Sequence, residues 1–394
     1  MSNSLYGKLS IAMFVLLFVL SGCENAGGSL QDQSAQSGIE PSGGIIPPVP
    51  LYECTMENVL FVSNLNSVQS MIIKNYYMNH RPGASRARYI DISAKTNEII
   101  SEAEFNFNVR KPVLDYILAN PSYDIRYIVM SMGIASRTSG GGVSTSVRLF
   151  NGLSDTGFRS VATYGPGSMN VFDPAEYPGS TALVSFMNMG SLEATIAYID
   201  KLEKTGNLMA VKSDILSSSG TEMSGNTYYM EEVNPNYTIN LCYDMIRELL
   251  NCNPLASYVY NDRTHIFEAD NVAGYCSWGA NGMLGNDYST SGAVRFSGKS
   301  EWYLLATMES GNGQMINLNQ GDFINFFSRT AFGGLNYENT PAGMAGFVEE
   351  PYIYGLYDPM YFALWEAGYV LADTAWSCRR TPFYIVIGDP LIRK

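Results

Sequence analysis

Cys276 lies in GYCSWGANG (residues 274–282), a thiol in an apolar run that passes into a glycine-rich turn, and the chain has only two histidines, His80 and His265, to act as its base. A Cys–His enzyme needs the imidazole close enough to make the thiolate that attacks a carbonyl. His265 stands eleven residues earlier in the polar stretch DRTH, which reads as a surface loop, and a small thiol inside an apolar run is an ordinary core residue. A dyad of Cys276 and His265 is therefore disfavoured. His80, in NHRPG, reads as a surface residue at a helix end.

Carboxylates offer a second chemistry. Three segments follow predicted strands: Trp278-Gly279-Ala280-Asn281, Glu309-Ser310-Gly311-Asn312-Gly313 and Glu349-Glu350-Pro351-Tyr352. In open parallel sheets, ligands bind outside the carboxyl ends of the strands. If the three strands are neighbours, Trp278, Asn281, Glu309, Asn312, Glu350 and Tyr352 line one crevice. There Trp278 would offer stacking area, and the carboxylates would accept hydrogen bonds from hydroxyls or amides. Glu309 and Glu350 would serve as acid and base of a hydrolase if they face each other within roughly 5–10 Å, one raised by the other's charge. Equally, the Gly and Asn residues suit turns and the carboxylates suit caps or solvent. No catalytic residue is assigned on this pattern alone.

The elements that must position these residues alternate along the chain. Candidate strands are 59–63, 89–92, 125–131, 182–186, 272–277, 302–307, 343–348 and 383–387; candidate helices are 68–79, 110–119, 192–204, 239–251, 323–331 and 360–374. The alternation predicts an α/β domain, a mostly parallel sheet flanked by helices. Residues 139–180 and 212–236, rich in Gly, Ser, Asn and Pro, read as insertions or long loops. Between the first strand and its helix, NLNSVQ has no glycine for a pyrophosphate, and no G-x-x-x-x-G-K occurs, so no nucleotide cofactor is expected.

Net charge −13, with 15% charged residues and no basic cluster, argues against nucleic acid as a partner. The 27 tyrosines fit an ordinary extracellular fold and also a surface that recognises peptide or sugar. No C-x-x-C pair or His cluster points to a metal. Cys242 and Cys252 bracket a helical stretch that holds their Cα atoms roughly 15 Å apart, beyond the reach of a disulfide. Pairing of Cys54 with Cys378 is left open by the sequence.

Residues 1–22 read as a signal: one Lys in the n-region, the apolar run IAMFVLLFVL, then Leu20-Ser21-Gly22 before Cys23. Ten apolar residues are too few to span a bilayer. The stretch resembles the bacterial lipoprotein signal, which implies that Cys23 becomes an acylated N-terminus. Several acyl chains make a durable anchor where one holds only marginally. An ordinary secretory signal is the alternative. Glu24, where Asp would favour retention in the inner membrane, points to the outer membrane. Residues 23–55, low in apolar content and ending in prolines, form a tether, and 56–394 a single large domain.

YDIRYIVMSMGI, GYCSWGANG, FVEEPYIYGL and the terminal IVIGDPLIRK resemble successive motifs of a family of uncharacterised bacterial exported proteins with SWGSN-like, EPY and GDPL signatures. Their order is also distantly similar to that in gingipain-type cysteine peptidases, which have a caspase-like sheet. That resemblance implies a His-Gly turn after strand 272–277 and a nucleophilic Cys after the next strand. Here the positions read Ser277-Trp278-Gly279 and Met308-Glu309-Ser310, so both members of the dyad are missing. A charged stretch expected after the fourth strand is replaced by Phe186-Met187-Asn188-Met189-Gly190. Two functions follow as expectations. One is a surface-tethered, non-catalytic protein that binds a peptide, glycan or envelope partner; the other is a hydrolase using Glu309 and Glu350.

The lipid anchor has a direct check. In cells fed labelled fatty acid, the wild-type chain should carry label in the membrane fraction and Cys23→Ala should carry none; a labelled, membrane-retained variant would refute the assignment.

Overall fold

The computed structural model describes residues 54–152, 182–232, 241–262, 265–277, 293–315, 323–351 and 356–394. β1 (Val59–Asn64), VLFVSN, is buried along its whole length. An apolar run without alternation suits a strand covered on both faces, as in a parallel sheet. α1 (Val68–His80) is capped by Ser67, whose hydroxyl accepts from the Ser70 N–H, and returns the chain to β2 (Arg88–Ile92). α2 (Lys111–Ala119), β3 (Tyr127–Ser131), α3 (Thr145–Gly152), β4 (Leu183–Met187) and α4 (Leu192–Leu208) complete the first half. The second half holds β5 (Thr227–Glu232), α5 (Leu241–Cys252), β6 (Ser257–Asp262), β7 (Val272–Ser277), β8 (Leu304–Thr307) and β9 (Gly343–Phe347). α6 (Tyr361–Glu366) and α7 (Leu371–Ser377) then lead to β10 (Tyr384–Gly388).

Ten strands form one sheet in the order β2-β1-β3-β4-β10-β9-β8-β7-β5-β6. Pairs within β1–β4 and within β5–β9 are parallel, and β10 is antiparallel to β9. Beside β4, β10 makes one registered bridge, Ile387 opposite Phe186; that lone bridge is of parallel type, so the flanking contacts decide the strand's sense. The residues past β10 fix its sense. The Leu391 carbonyl accepts from Leu216, beyond α4, and the Arg393 carbonyl accepts from the indole of Trp302, just ahead of β8. β10 thus ends where its neighbours begin. Beyond β4 and β8 the loops meet, Asn188 Nδ2 donating to Met315 Sδ at 3.0 Å, so the carboxyl ends of both halves open on one edge. The expected α/β architecture is present. From each outer edge inward the strands of a half read second, first, third, fourth, so one winding occurs twice.

A buried ion pair joins the two halves. Arg81, after α1, donates to Asp389, after β10, through Nε at 2.9 Å and Nη2 at 3.1 Å, and both side chains are fully buried. Tyr77 Oη donates to the same carboxylate at 2.7 Å. Burial alone would lower the Arg81 pKa, but the Asp389 and Tyr77 oxygens outweigh it and hold the guanidinium charged. Burial and the Asp389 charge push Tyr77 well up, so it stays a donor. Gly388 precedes the pair at φ +131°, with its Cα packed so closely that a Cβ would come within 2.9 Å of Leu371 and 3.0 Å of Tyr198 Oη. That contact accounts for the glycine of the terminal GDPL.

Several boundaries differ from expectation, each for a local reason. Residues 212–236 are not merely loop: Leu216–Ser217 pairs with Ile392–Arg393, and β5 is a full sheet strand. Its TYYMEE was masked by the acidic pair Glu231-Glu232, although Glu231 is buried. β6, SYVYND, is an edge strand with Tyr258 and Val259 exposed, and carries no apolar run to read. α3 falls in the segment 139–180. The helix expected over 323–331 spans only Phe323–Phe326, and the one over 360–374 breaks at Gly368, φ +89°, into α6 and α7. All five described cysteines are thiols in this structure, and the Sγ of Cys54 lies 3.0 Å from Tyr127 Oη. Among the described residues no helix is long and apolar enough to cross a membrane.

Removing one partner of a buried, hydrogen-bonded pair strands the other charge. Arg81→Met should therefore cost about 3–5 kcal/mol of unfolding free energy by denaturant titration. Adding Asp389→Asn to Arg81→Met should cost less than the sum of the two single variants, because the second change removes the stranded charge.

Candidate functional site

β7, β8 and β9 are adjacent and parallel, so the three segments singled out in the sequence do leave neighbouring strand ends. Trp278, Asn281 and Tyr352 lie outside the described residues. Glu309 is buried and Glu350 is exposed, so the two carboxylates sit in different environments. Asn312 is a clamp: its Nδ2 donates to Thr307 Oγ1 at the end of β8, and its Oδ1 accepts from the Phe347 N–H of β9 at 2.7 Å. With both ends of the amide bound to protein, Asn312 is occupied as structure. Glu349 pairs with Arg137 from beyond β3. Arg137 also donates to Gln314 Oε1 at 3.2 Å.

The thiol and imidazole are on opposite faces of the sheet. Side chains alternate along a strand. Ser277 Oγ and Tyr275 Oη bond the buried Glu231 carboxylate of β5 at 3.1 and 3.2 Å, whereas Cys276 between them points the other way, with its sulfur 3.8 Å from that of Cys242 on α5. His265 is on the Glu231 side, with Nδ1 3.3 Å from Glu231 Oε1, and the Ile266 N–H donates to Oε2 at 2.7 Å. Contrary to the loop reading, His265 is only 7% exposed. Cys276, at 0%, is the core thiol expected. Ser277, His265 and Glu231 bring together hydroxyl, imidazole and carboxylate. The hydroxyl donates to the carboxylate, and all three are buried. The group is a clasp that gathers β5, β7 and the segment after β6.

The open space is at the other half of the same edge. A crevice of about 460 Å³, within the size range of small-ligand sites, lies at the carboxyl ends of β1, β3 and β4. It is lined by Asn66, Ser67, Thr96, Met132, Asn188 and Met315 among others, and no acidic or basic side chain lines it. β2 and β3 leave β1 on opposite sides, so this is the sheet's switch point, where loops diverge and leave a cleft. Asn64, fully buried, braces its floor: Nδ2 donates to the Gly133 carbonyl at 2.7 Å and the Ala94 carbonyl at 3.0 Å, and Oδ1 accepts from the Asn66 and Ala94 N–H groups. Gly133 has φ +84°, and a Cβ there would lie 2.4 Å from Ser67 Oγ. Val68 and Leu65, 77% and 56% exposed, add apolar surface beside the rim. These residues were missed in the sequence. The available signal was Met132-Gly133 directly after an apolar strand, and the uncharged Met187-Asn188-Met189-Gly190 at the fourth strand end.

Two further features lie at the opposite edge. A depression of similar volume is lined by Arg86, Lys212 and Asp214, but Asp214 is already used, pairing with Arg86 and accepting from the Met56 N–H at 2.8 Å. His80, Asp200 and Glu203 have donor atoms within 4.8 Å of one another. His80 Nδ1 meets Glu203 Oε2 at 3.0 Å, and Tyr76 stacks on His80 while donating to Asp200 at 2.6 Å. These are partly exposed ion-pair and stacking contacts that tie α1 to α4. They lie at the C-terminal end of α1, a whole helix length of roughly 20 Å from the crevice.

No protein-family model matches this chain, and no curated protein or solved structure does.

Glu231→Ala would leave the Ile266 N–H and the Ser277 and Tyr275 hydroxyls without their buried acceptor. It should cost about 3–5 kcal/mol by denaturant unfolding, whereas Glu350→Ala at an exposed position should stay within about 0.5 kcal/mol.

Proposed function

We propose that this chain is a lipoprotein, anchored to the outer membrane through Cys23, which binds an uncharged peptide or glycan in the crevice at the ends of β1, β3 and β4, without catalysis. One observation carries the reading: a crevice opens at the switch point on the carboxyl edge, and none of the side chains that line it is acidic or basic. Catalysis of acyl or glycosyl transfer needs a nucleophile or a proton donor and acceptor near the reacting atoms. Amides, hydroxyls and thioethers instead provide hydrogen bonds and polarisable contact, which suit a neutral polar ligand with apolar parts.

The scaffold is read as caspase-like and gingipain-like. Support comes from the strand order, with an antiparallel final strand beside a parallel array, and from the motif positions where Ser277-Trp278-Gly279 and Met308-Glu309-Ser310 replace the dyad. On such a scaffold the loss of both dyad members removes peptide hydrolysis while the strand-end crevice is kept. The competing hydrolase reading assigns Glu309 and Glu350, of which one is buried and the other exposed.

Thr96 is exposed at the crevice wall, so Thr96→Trp fills the opening without disturbing the core. Screened against neutral glycans, peptidoglycan fragments and peptides, the wild type should retain a ligand that Thr96→Trp binds at least about tenfold more weakly, with an unchanged melting temperature. A ligand unaffected by Thr96→Trp would overturn the crevice assignment. Hydrolysis of any of these probes that disappears in Glu309→Gln would overturn the non-catalytic reading.

A further inference from the structure

Cys242 and Cys276 are both fully buried, and their sulfurs lie 3.8 Å apart. Thirty-four residues separate them along the chain, and they belong to different elements, the first turn of α5 and the last turn-ward residues of β7. We infer that the exported protein carries a disulfide between Cys242 and Cys276.

The geometry favours this pair over every other pairing considered in the sequence. A disulfide has sulfurs about 2.05 Å apart, so each sulfur has to close by under about 1 Å, a motion within a modest side-chain rotation. Cys242 and Cys252 sit at opposite ends of the helical stretch in α5, and Cys54 lies against Tyr127 Oη rather than beside a thiol. Both partners are held by rigid surroundings. Cys276 is in register between Met230 of β5 and Ala306 of β8, and α5 is seated by Met245, Ile246 and Leu249, all buried. The Cys242 thiol also reaches the Glu231 carbonyl at 3.5 Å, so the bond would tie α5 to the strand ends that carry the Glu231–His265 clasp.

Formation needs a disulfide donor. One thiolate attacks a sulfur of the donor, releasing one donor thiol and leaving a mixed disulfide; the second thiolate then displaces the remaining donor sulfur. In sum, two protein thiols and one donor disulfide give one protein disulfide and two donor thiols, which take up the protons that the protein thiols lose. Because both sulfurs are shut off from solvent in the folded chain, this exchange happens while the chain folds. That it happens in the cell rests on the exported reading above, since such bonds persist in oxidising compartments.

The test separates the two ideas by using oxidised and reduced glutathione as the donor couple in vitro. The full chain, refolded in that couple, is then unfolded without reductant, alkylated and mapped by mass spectrometry. The expected result is one cross-linked peptide pair holding Cys242 and Cys276, with Cys54, Cys252 and Cys378 alkylated. The oxidised protein should melt several degrees above the reduced one, and this difference should vanish in both Cys242→Ser and Cys276→Ala. Alkylation of all five body cysteines, or a cross-link mapped to another pair, would overturn the inference. If the bond forms in glutathione but is absent from protein isolated from the envelope fraction, the pair is competent and the assignment to the mature protein is wrong.

Discussion

Arg81 and Asp389 hold the two halves of this protein in one sheet. β10 is the last strand in the chain, yet it is inserted at the centre of the sheet, between β4 of the first half and β9 of the second. Five registered pairs hold it to β9, whereas its registered contact with β4 is a single pair, so the joint to the first half needs more than the ladder. The ion pair does so from the end of the strand. It fastens the residue after β10 to the end of α1, with Tyr77 and the Leu391 N–H completing the carboxylate's partners. A charge pair taken fully out of water is costly and is matched only when nearly every donor and acceptor is satisfied, as here. Its position is therefore specific: β10 cannot slide by one residue without stranding both charges.

A second buried basic side chain joins the halves at the same edge, under a different balance. Lys201 of α4 is buried, and burial lowers its pKa to about 7. Its ammonium donates to the Thr340 carbonyl at 2.6 Å, to Thr340 Oγ1 at 2.8 Å and to the Glu338 carbonyl at 3.3 Å, joining a helix of the first half to the approach of β9 in the second. The amino edge of the sheet is thus tied across the halves by the hydrogen bonds of buried basic side chains. The carboxyl edge is tied by neutral amides. Asn64 binds the loops past β1, β2 and β3, Asn312 binds β8 to β9, and Asn188 Nδ2 reaches Met315. Amides lock backbone in place without leaving a charge beside an open crevice.

The alternation of apolar runs and helical patterns was legible because parallel strands buried on both faces read as continuous apolar stretches. β1, β3, β4 and β7 through β10 all do so. β5 and β6 escaped notice because their partners are polar: β5 buries Glu231 against three hydrogen-bond donors and an imidazole, and β6 is an edge strand. Burial of a charged side chain cannot be read from one strand when its partners come from segments 34 to 46 residues away. The same limit applies to His265, which DRTH presented as surface. For the site, the adjacency of β7, β8 and β9, on which the expected crevice was conditional, is present, but chemical type drew attention to the acidic ends. The crevice is formed by Asn, Ser, Thr and Met, residues that signal nothing individually and become a site only through the switch in winding at β1.

That contrast also separates the described strand ends of the two halves. In the second half, the strand ends that a caspase-like scaffold would use for a nucleophile and base are filled: Asn312 spans β8 and β9, the hydroxyl of Ser277 is committed to Glu231, and Cys276 faces α5 rather than the edge. Each of these interactions is inward. A catalytic group must instead leave a reactive atom exposed to substrate, at some cost to its own satisfaction. In the first half, by contrast, Gly133 and Gly190, at φ +84° and +86°, bring the backbone into turns that no side chain could follow without strain, and the space they leave stays open. The repeated winding thus places strand ends of two kinds on one edge: described side chains turned inward to protein partners in the second half, and a crevice lined by uncharged side chains in the first.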